Sequence, residues 1–166
     1  MNPPAPATAP APVLPRADLA AWAGELRRAG RRLVFTNGCF DLLHRGHVEY
    51  LAEAAALGDV LLVAVNDDAS VSALKGPSRP LTPLADRLAV LAHLRPVGAL
   101  TIFGEPTPRE TILLARPDVL VKGDEYAETD IVGAVEVRSW GGEVVRVSMR
   151  AGRSTTAIIA AVKRLP

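Results

Sequence analysis

Five apolar runs, at residues 33–36, 60–65, 99–103, 119–121 and 144–147, are continuous rather than alternating. A strand with one wet face alternates apolar and polar residues, so unbroken runs of this length call for a sheet covered on both faces, which is characteristic of parallel sheets. Amphipathic stretches separate them. Residues 17–29 carry Leu19, Trp22, Ala23 and Leu26 at helical spacing, and residues 48–57, 83–94, 108–115, 129–140 and 154–165 also read as helices. The alternation predicts a doubly wound α/β domain, with five parallel strands and helices on both faces. Ligands bind such sheets beyond the carboxyl ends of the strands. Function is therefore expected in the polar segments that follow each run.

The length of 166 residues fits one domain. Residues 1 to about 15 are almost all Pro and Ala and bury nothing, which predicts a disordered or polyproline-like tail over residues 1–16 before a folded domain over 17–166. Lys and Arg number 19 against 18 Asp and Glu, a net charge of +1, so there is no bulk electrostatic case for a nucleic-acid partner. Aromatics at 4% argue against a base-stacking platform. The single cysteine, Cys39, excludes an internal disulfide and suits a reducing cytosol. No apolar run is long enough to span a bilayer, and the start of the chain lacks the charged-then-apolar order of a signal peptide, so a cytoplasmic location is expected.

The richest polar segment is Thr36-Asn37-Gly38-Cys39-Phe40-Asp41-Leu42-Leu43-His44-Arg45-Gly46-His47. It joins a strand-like run to a helix-like one, and such a junction gathers free backbone N–H groups and the positive end of a helix dipole. His44 and His47, three apart at the helix start, share roughly one face, and Gly46 lets an anion approach the backbone. A structural histidine pair and a zinc site are the competing readings. Zinc needs further ligands, and only Cys39 is near. The flanking strand, glycines and helix favour phosphate. Asn37, Gly38 and Phe40 are assigned to the nucleotide with Gly46, and Asp41 to the incoming substrate or its metal. Cys39 is expected to fill space, and His93, within a helix, has no assigned role.

Three further segments follow strand ends. Asn66-Asp67-Asp68 precedes Lys75-Gly76-Pro77-Ser78-Arg79-Pro80, where Gly and Pro shape a loop whose lysine and arginine are suited to close over a triphosphate. Lys122 and Gly123, with Asp124, stand where nucleotide or sugar phosphate is contacted. Gly152-Arg153-Ser154-Thr155-Thr156 precedes the last helix, where hydroxyls and backbone N–H groups serve both as cap and as phosphate ligands. Arg87 and Arg95, on one predicted helix, default to surface charge.

Histidines spaced as in HxGH resemble the signature of the nucleotidyltransferase superfamily. The ordered set TNGCFDLLHRGH, GDVLLVAVNDD, LKGPSRP, VKGDEY and GRSTT, from about residue 17 to 165, closely resembles the bacterial heptose 1-phosphate adenylyltransferases. The resemblance implies a Rossmann-like fold and transfer of AMP from ATP, with Mg²⁺, to a heptose 1-phosphate. It also implies a homodimer and a heptose 7-phosphate kinase on a separate polypeptide. By the same resemblance His44, His47 and Lys75 are catalytic, and Lys122, Gly123, Arg153, Ser154 and Thr155 hold the nucleotide. Asp41, Asn66, Arg79, Arg87, Arg95 and Asp124 are assigned to the substrate. The family usually reads VKGGDY where Asp124 and Glu125 stand here, and often has an acidic residue where Gly98 stands. A polyol-phosphate cytidylyltransferase and a non-catalytic nucleotide-binding protein are the alternatives.

Overall fold

The computed structural model describes residues 9–124, 127–148 and 155–165. Six parallel strands form one sheet: β1 (Val13–Leu14), β2 (Leu33–Gly38), β3 (Val60–Asn66), β4 (Ala99–Phe103), β5 (Val119–Gly123) and β6 (Glu143–Val147), in the order β1-β4-β3-β2-β5-β6. The helices are α1 (Leu19–Arg28), α2 (Arg45–Ala55), α3 (Asp68–Lys75), α4 (Leu84–Ala92), α5 (Arg109–Ala115), α6 (Ala134–Ser139) and α7 (Thr155–Val162).

The continuous apolar runs have the expected consequence. Successive residues of a strand point to opposite faces, and each face has its own core. Leu62 and Ala64 of β3 pack with Leu19 and Ala23 of α1, Ile112 and Ala115 of α5, and Val137 of α6. Leu61, Val63 and Val65 pack with Tyr50, Leu51 and Ala54 of α2 and Leu91 of α4. The doubly wound, Rossmann-like reading holds, with the five expected strands present and a sixth added.

The sixth strand corrects the boundary drawn at residue 17. Val13 and Leu14 pair with Leu100 and Thr101 at the sheet edge. Ala11 N–H donates to Ala92 O (2.8 Å), and Pro12 O accepts from Leu100 N–H (2.8 Å). Proline is tolerated there because an edge strand leaves one row of backbone groups unpaired. Residues 1–8 lie outside the described residues. Helix α3 is the second departure, because no helix is expected over its span and Lys75 is expected on a loop. Asp67 caps it by accepting from Ser70 N–H (2.7 Å), and Gly76, at φ +97°, ends it. Among the described residues no helix is long and apolar enough to cross a membrane.

Candidate active site

The winding reverses between β2 and β5. From β2 the chain adds β3 and β4 on one side, then crosses to β5 and β6 on the other. β2 and β5 are in register only at Val34–Val119 and Phe35–Leu120. Beyond that point Val121 O leaves the ladder and is taken by the hydroxyls of Tyr50 (3.1 Å) and Thr36 (3.2 Å), which lie 2.7 Å apart. The strands splay, and a cleft of about 450 Å³ opens above their carboxyl ends. Its walls include Asn37, Gly38, Cys39, Phe40, Asp41, His47, Asn66, Lys75, Lys122, Gly123 and Thr155.

The turn between β2 and α2 is shaped by two features. Phe40 adopts φ +48°, an uncommon conformation for a residue with a side chain. Its ring folds back over Gly38, where an added Cβ would sit 3.0 Å from the Phe40 Cε2 and press on the ring. The same ring stands 5.4 Å from that of His47. His44 is the extended residue that precedes α2 and makes no side-chain cap; Gly46 is buried in the first turn. The His44 and His47 rings stack with centroids 3.9 Å apart. Both Nδ1 atoms are buried without a partner among the described residues. Buried polar atoms are nearly always satisfied, so an unpartnered pair beside a cleft is free to take up a ligand. Burial lowers the His44 pKa. Burial, then the charges of His44 and Lys75, lower His47 to about 4, so His47 is neutral at pH 7.

Lys75 stands on the last turn of α3, exposed at the rim, and not on a loop. Lys122 is buried at the end of β5 and donates from Nζ to Asn37 Oδ1, bridging the splayed strands. Asn66 donates to Ser70 Oγ (3.2 Å) and lies 3.8 Å from Cys39 Sγ. Thr155, the first residue of α7, donates to Leu42 O (3.2 Å), which brings the last helix beside the histidine turn. Arg153 and Ser154 lie outside the described residues. Asp124 is exposed just past β5, and its N–H donates to Val147 O.

Four residues assigned to substrate are placed otherwise. The Asp41 carboxylate is 3% exposed and already accepts from Arg79 Nε (2.5 Å), Leu81 N–H (2.8 Å) and Thr82 N–H (2.9 Å). Burial alone would raise its pKa, but these hydrogen bonds and the Arg79 charge outweigh it and hold the carboxyl below its usual value. Arg79 is therefore turned toward Asp41. Arg87 is 1% exposed and donates to the carbonyls of Cys39 (2.6 Å), Asn66 (2.8 Å) and Thr82 (3.0 Å) and to Asp68 Oδ1 (2.6 Å), so it is neither surface charge nor a phosphate ligand. Arg95 follows α4 and precedes the start of β4, at the opposite end of the sheet from the cleft.

Phe103, the last residue of β4, is also in the wall, and residues overlooked in the sequence add to it: Pro106, Thr107 and Pro108 after β4, and Asp130, Ile131 and Val132 after β5. They follow strand ends, the one signal that points to them. Among the described residues no group of three or more His, Cys, Asp or Glu side chains is placed to hold a metal ion.

A family model described as cytidylyltransferase-like matches residues 35–161. The chain belongs to that family. It is 54% identical over 133 residues to the bifunctional protein HldE of Methylobacillus flagellatus, covering 80% of this chain and 27% of that protein. It is 50% identical over 151 residues to the bifunctional protein HldE of Gluconacetobacter diazotrophicus, covering 91% of this chain and 31% of that protein. The chain thus spans about a third or less of the length of these relatives. The crystal structure of the lipopolysaccharide core biosynthesis protein from Thermoplasma volcanium superposes with a TM-score of 0.59 at 28% identity, over 73% of this chain and 98% of that one. Pantoate-beta-alanine ligase from Francisella tularensis, at 14% identity and a TM-score of 0.64 over 92% of this chain and 77% of that one, shares the fold.

Proposed function

We propose that this chain transfers AMP from ATP to a heptose 1-phosphate, giving ADP-heptose and pyrophosphate. A phosphate oxygen of the sugar 1-phosphate attacks the α-phosphorus. The bond from that phosphorus to the oxygen bridging the β-phosphate breaks, and pyrophosphate leaves with the electron pair. Such a displacement needs positioning and charge stabilisation and no covalent enzyme nucleophile.

The observation that carries the reading is the stacked histidine pair at the start of α2, with both Nδ1 atoms unpartnered among the described residues, in the cleft at the reversal of the sheet. The pair and the α2 N-terminus supply N–H donors to phosphate oxygens. Lys75 adds a positive charge at the rim, and Lys122, held by Asn37, adds one at the floor. The donor set is cationic and N–H rich, which fits phosphate. Mg²⁺ accordingly belongs to the substrate as MgATP, where it neutralises charge on the triphosphate.

Heptose as the acceptor is supported by the resemblance in TNGCFDLLHRGH, LKGPSRP and VKGDEY and by about 50% identity to the HldE proteins. Those relatives are bifunctional by name, and the reading here includes a heptose 7-phosphate kinase on a separate polypeptide. A cytoplasmic homodimer completes the reading. The family description favours one rival, CTP as donor with a polyol phosphate as acceptor. Pyrophosphate release from ATP and CTP against a panel of sugar 1-phosphates and glycerol 3-phosphate tests both.

A further inference from the structure

Two buried charged groups outside the phosphate-facing set grip the same stretch of chain. Asp41 takes the N–H groups of Leu81 and Thr82 and the guanidinium of Arg79. Arg87 takes the carbonyl of Thr82 and a carboxylate oxygen of Asp68. Between these anchors lie α3, which starts at Asp68 and ends at Lys75, and the segment 76–82. The Ser72 hydroxyl donates to Arg79 O and ties that segment back onto the helix. Lys75 makes no hydrogen bond or ion pair among the described residues, so its place is set by what holds α3 and the following segment.

The same guanidinium reaches Cys39 O and Asn66 O, at the carboxyl ends of β2 and β3. One side chain therefore joins the histidine turn, the floor of the cleft and the helix that carries the lysine. Burying a charge this completely is costly unless it is paired and fully hydrogen-bonded, and Arg87 is 0% exposed in its side chain while Asp68 is 48% exposed. Lys75 and His47 line the same cleft, so the helix that carries the lysine borders the histidine turn.

We infer that Asp41 and Arg87 are positioning residues, a clasp around α3 and residues 76–82 that sets the Lys75 ammonium against the histidine pair for the transfer step. The inference rests on the transfer reading above. Neither residue needs to touch a substrate for the clasp to act.

The test uses Asp68→Ala in the full chain, because this half-exposed carboxylate links Arg87 to α3 without itself filling the core. Misplacing a reacting group by about 1 Å costs on the order of 10²-fold in rate. Asp68→Ala is expected to lower kcat roughly 10- to 100-fold with the KM for ATP changed less than about threefold, because the loss falls on the reacting complex. The double variant with Lys75→Ala is expected to be within about threefold of Lys75→Ala alone, since coupled groups are not additive. Asp68→Asn, which keeps an acceptor for Arg87, is expected to recover turnover toward wild type. Losses that multiply in the double variant, or a raised KM with unchanged kcat, overturn the clasp. Amide hydrogen exchange supplies a readout independent of turnover. Residues 69–82 are expected to exchange faster in Asp68→Ala while α2 is unchanged, and unchanged exchange over 69–82 overturns the inference. A wild-type chain without turnover overturns the transfer reading, and the exchange experiment still decides the clasp.

Discussion

The imidazole rings of His44 and His47 lie with centroids 3.9 Å apart and planes tilted by 32°, one ring just ahead of α2 and the other in its first turn. Removing one preorganised donor to a developing charge typically costs on the order of 10²–10³ in turnover. His44→Ala and His47→Ala are each expected to lose at least that much while keeping a wild-type circular dichroism spectrum. Turnover within about tenfold of wild type in either variant would remove the pair from the mechanism.

The low pKa of His47 sets a pH dependence of stability. The folded ring titrates at about 4 and the unfolded one at the ordinary value of 6.5. Between these values the unfolded chain binds a proton that the folded chain does not. The contribution is fully present above about pH 6.5 and is lost as the pH falls toward 4. In thermal melts across this range wild type is expected to lose stability relative to His47→Gln as the pH falls from 6.5 toward 4. Parallel curves would show that the ring titrates normally in the fold.

How much of this was legible in the sequence depended on whether the signal was local. The five longer strands were readable because a doubly covered strand writes an unbroken apolar run. The histidine turn was readable because strand, glycines and helix start are contiguous. Helix α3 was not, since Asp68–Lys75 buries only Ser70 and Val71 and so shows almost no apolar period. Its cap at Asp67 and its stop at Gly76 were the available cues. Strand β1 is two residues within a Pro/Ala stretch, and only its pairing with β4 defines it. Arg87 defeats sequence reading altogether. Its acceptors at Cys39, Asn66 and Thr82 come from three separate segments, so nothing beside it in the chain marks it as buried.

The edge strand changes what truncation should do. A chain starting at Arg16 loses the hydrogen bonds of Ala11 N–H, Pro12 O and Leu14 O, the last accepting from Thr101 Oγ1 at 3.1 Å. At about 1 kcal/mol each, these losses lower Tm by roughly 6–12 °C in a domain of this size. Turnover below the melting range should stay near wild type, because β1 is separated from the cleft by β4 and β3. An unchanged Tm would mean that residues 9–15 add nothing to the fold.

Arg87 and Arg95 should behave oppositely. Arg87→Ala strips three carbonyls and Asp68 of their shared donor and is expected to cost on the order of 3–5 kcal/mol, seen as a lower denaturant midpoint. Arg95→Ala, exposed at the far end of the sheet, is expected to change stability by less than about 0.5 kcal/mol and to leave turnover intact. A large loss of activity in Arg95→Ala with the fold preserved would restore it to the substrate site.

The most direct test of the transfer reading compares nucleotide donors with the sugar acceptor. Pyrophosphate release is measured with heptose 1-phosphate and either ATP or CTP, alongside glycerol 3-phosphate with both. A site that hydrogen-bonds its base rejects the wrong base because buried polar groups are left unpaired. The expected result is turnover with ATP and heptose 1-phosphate well above every other combination. Equal or faster turnover with CTP, above all with glycerol 3-phosphate, would contradict it and make the chain a polyol-phosphate cytidylyltransferase.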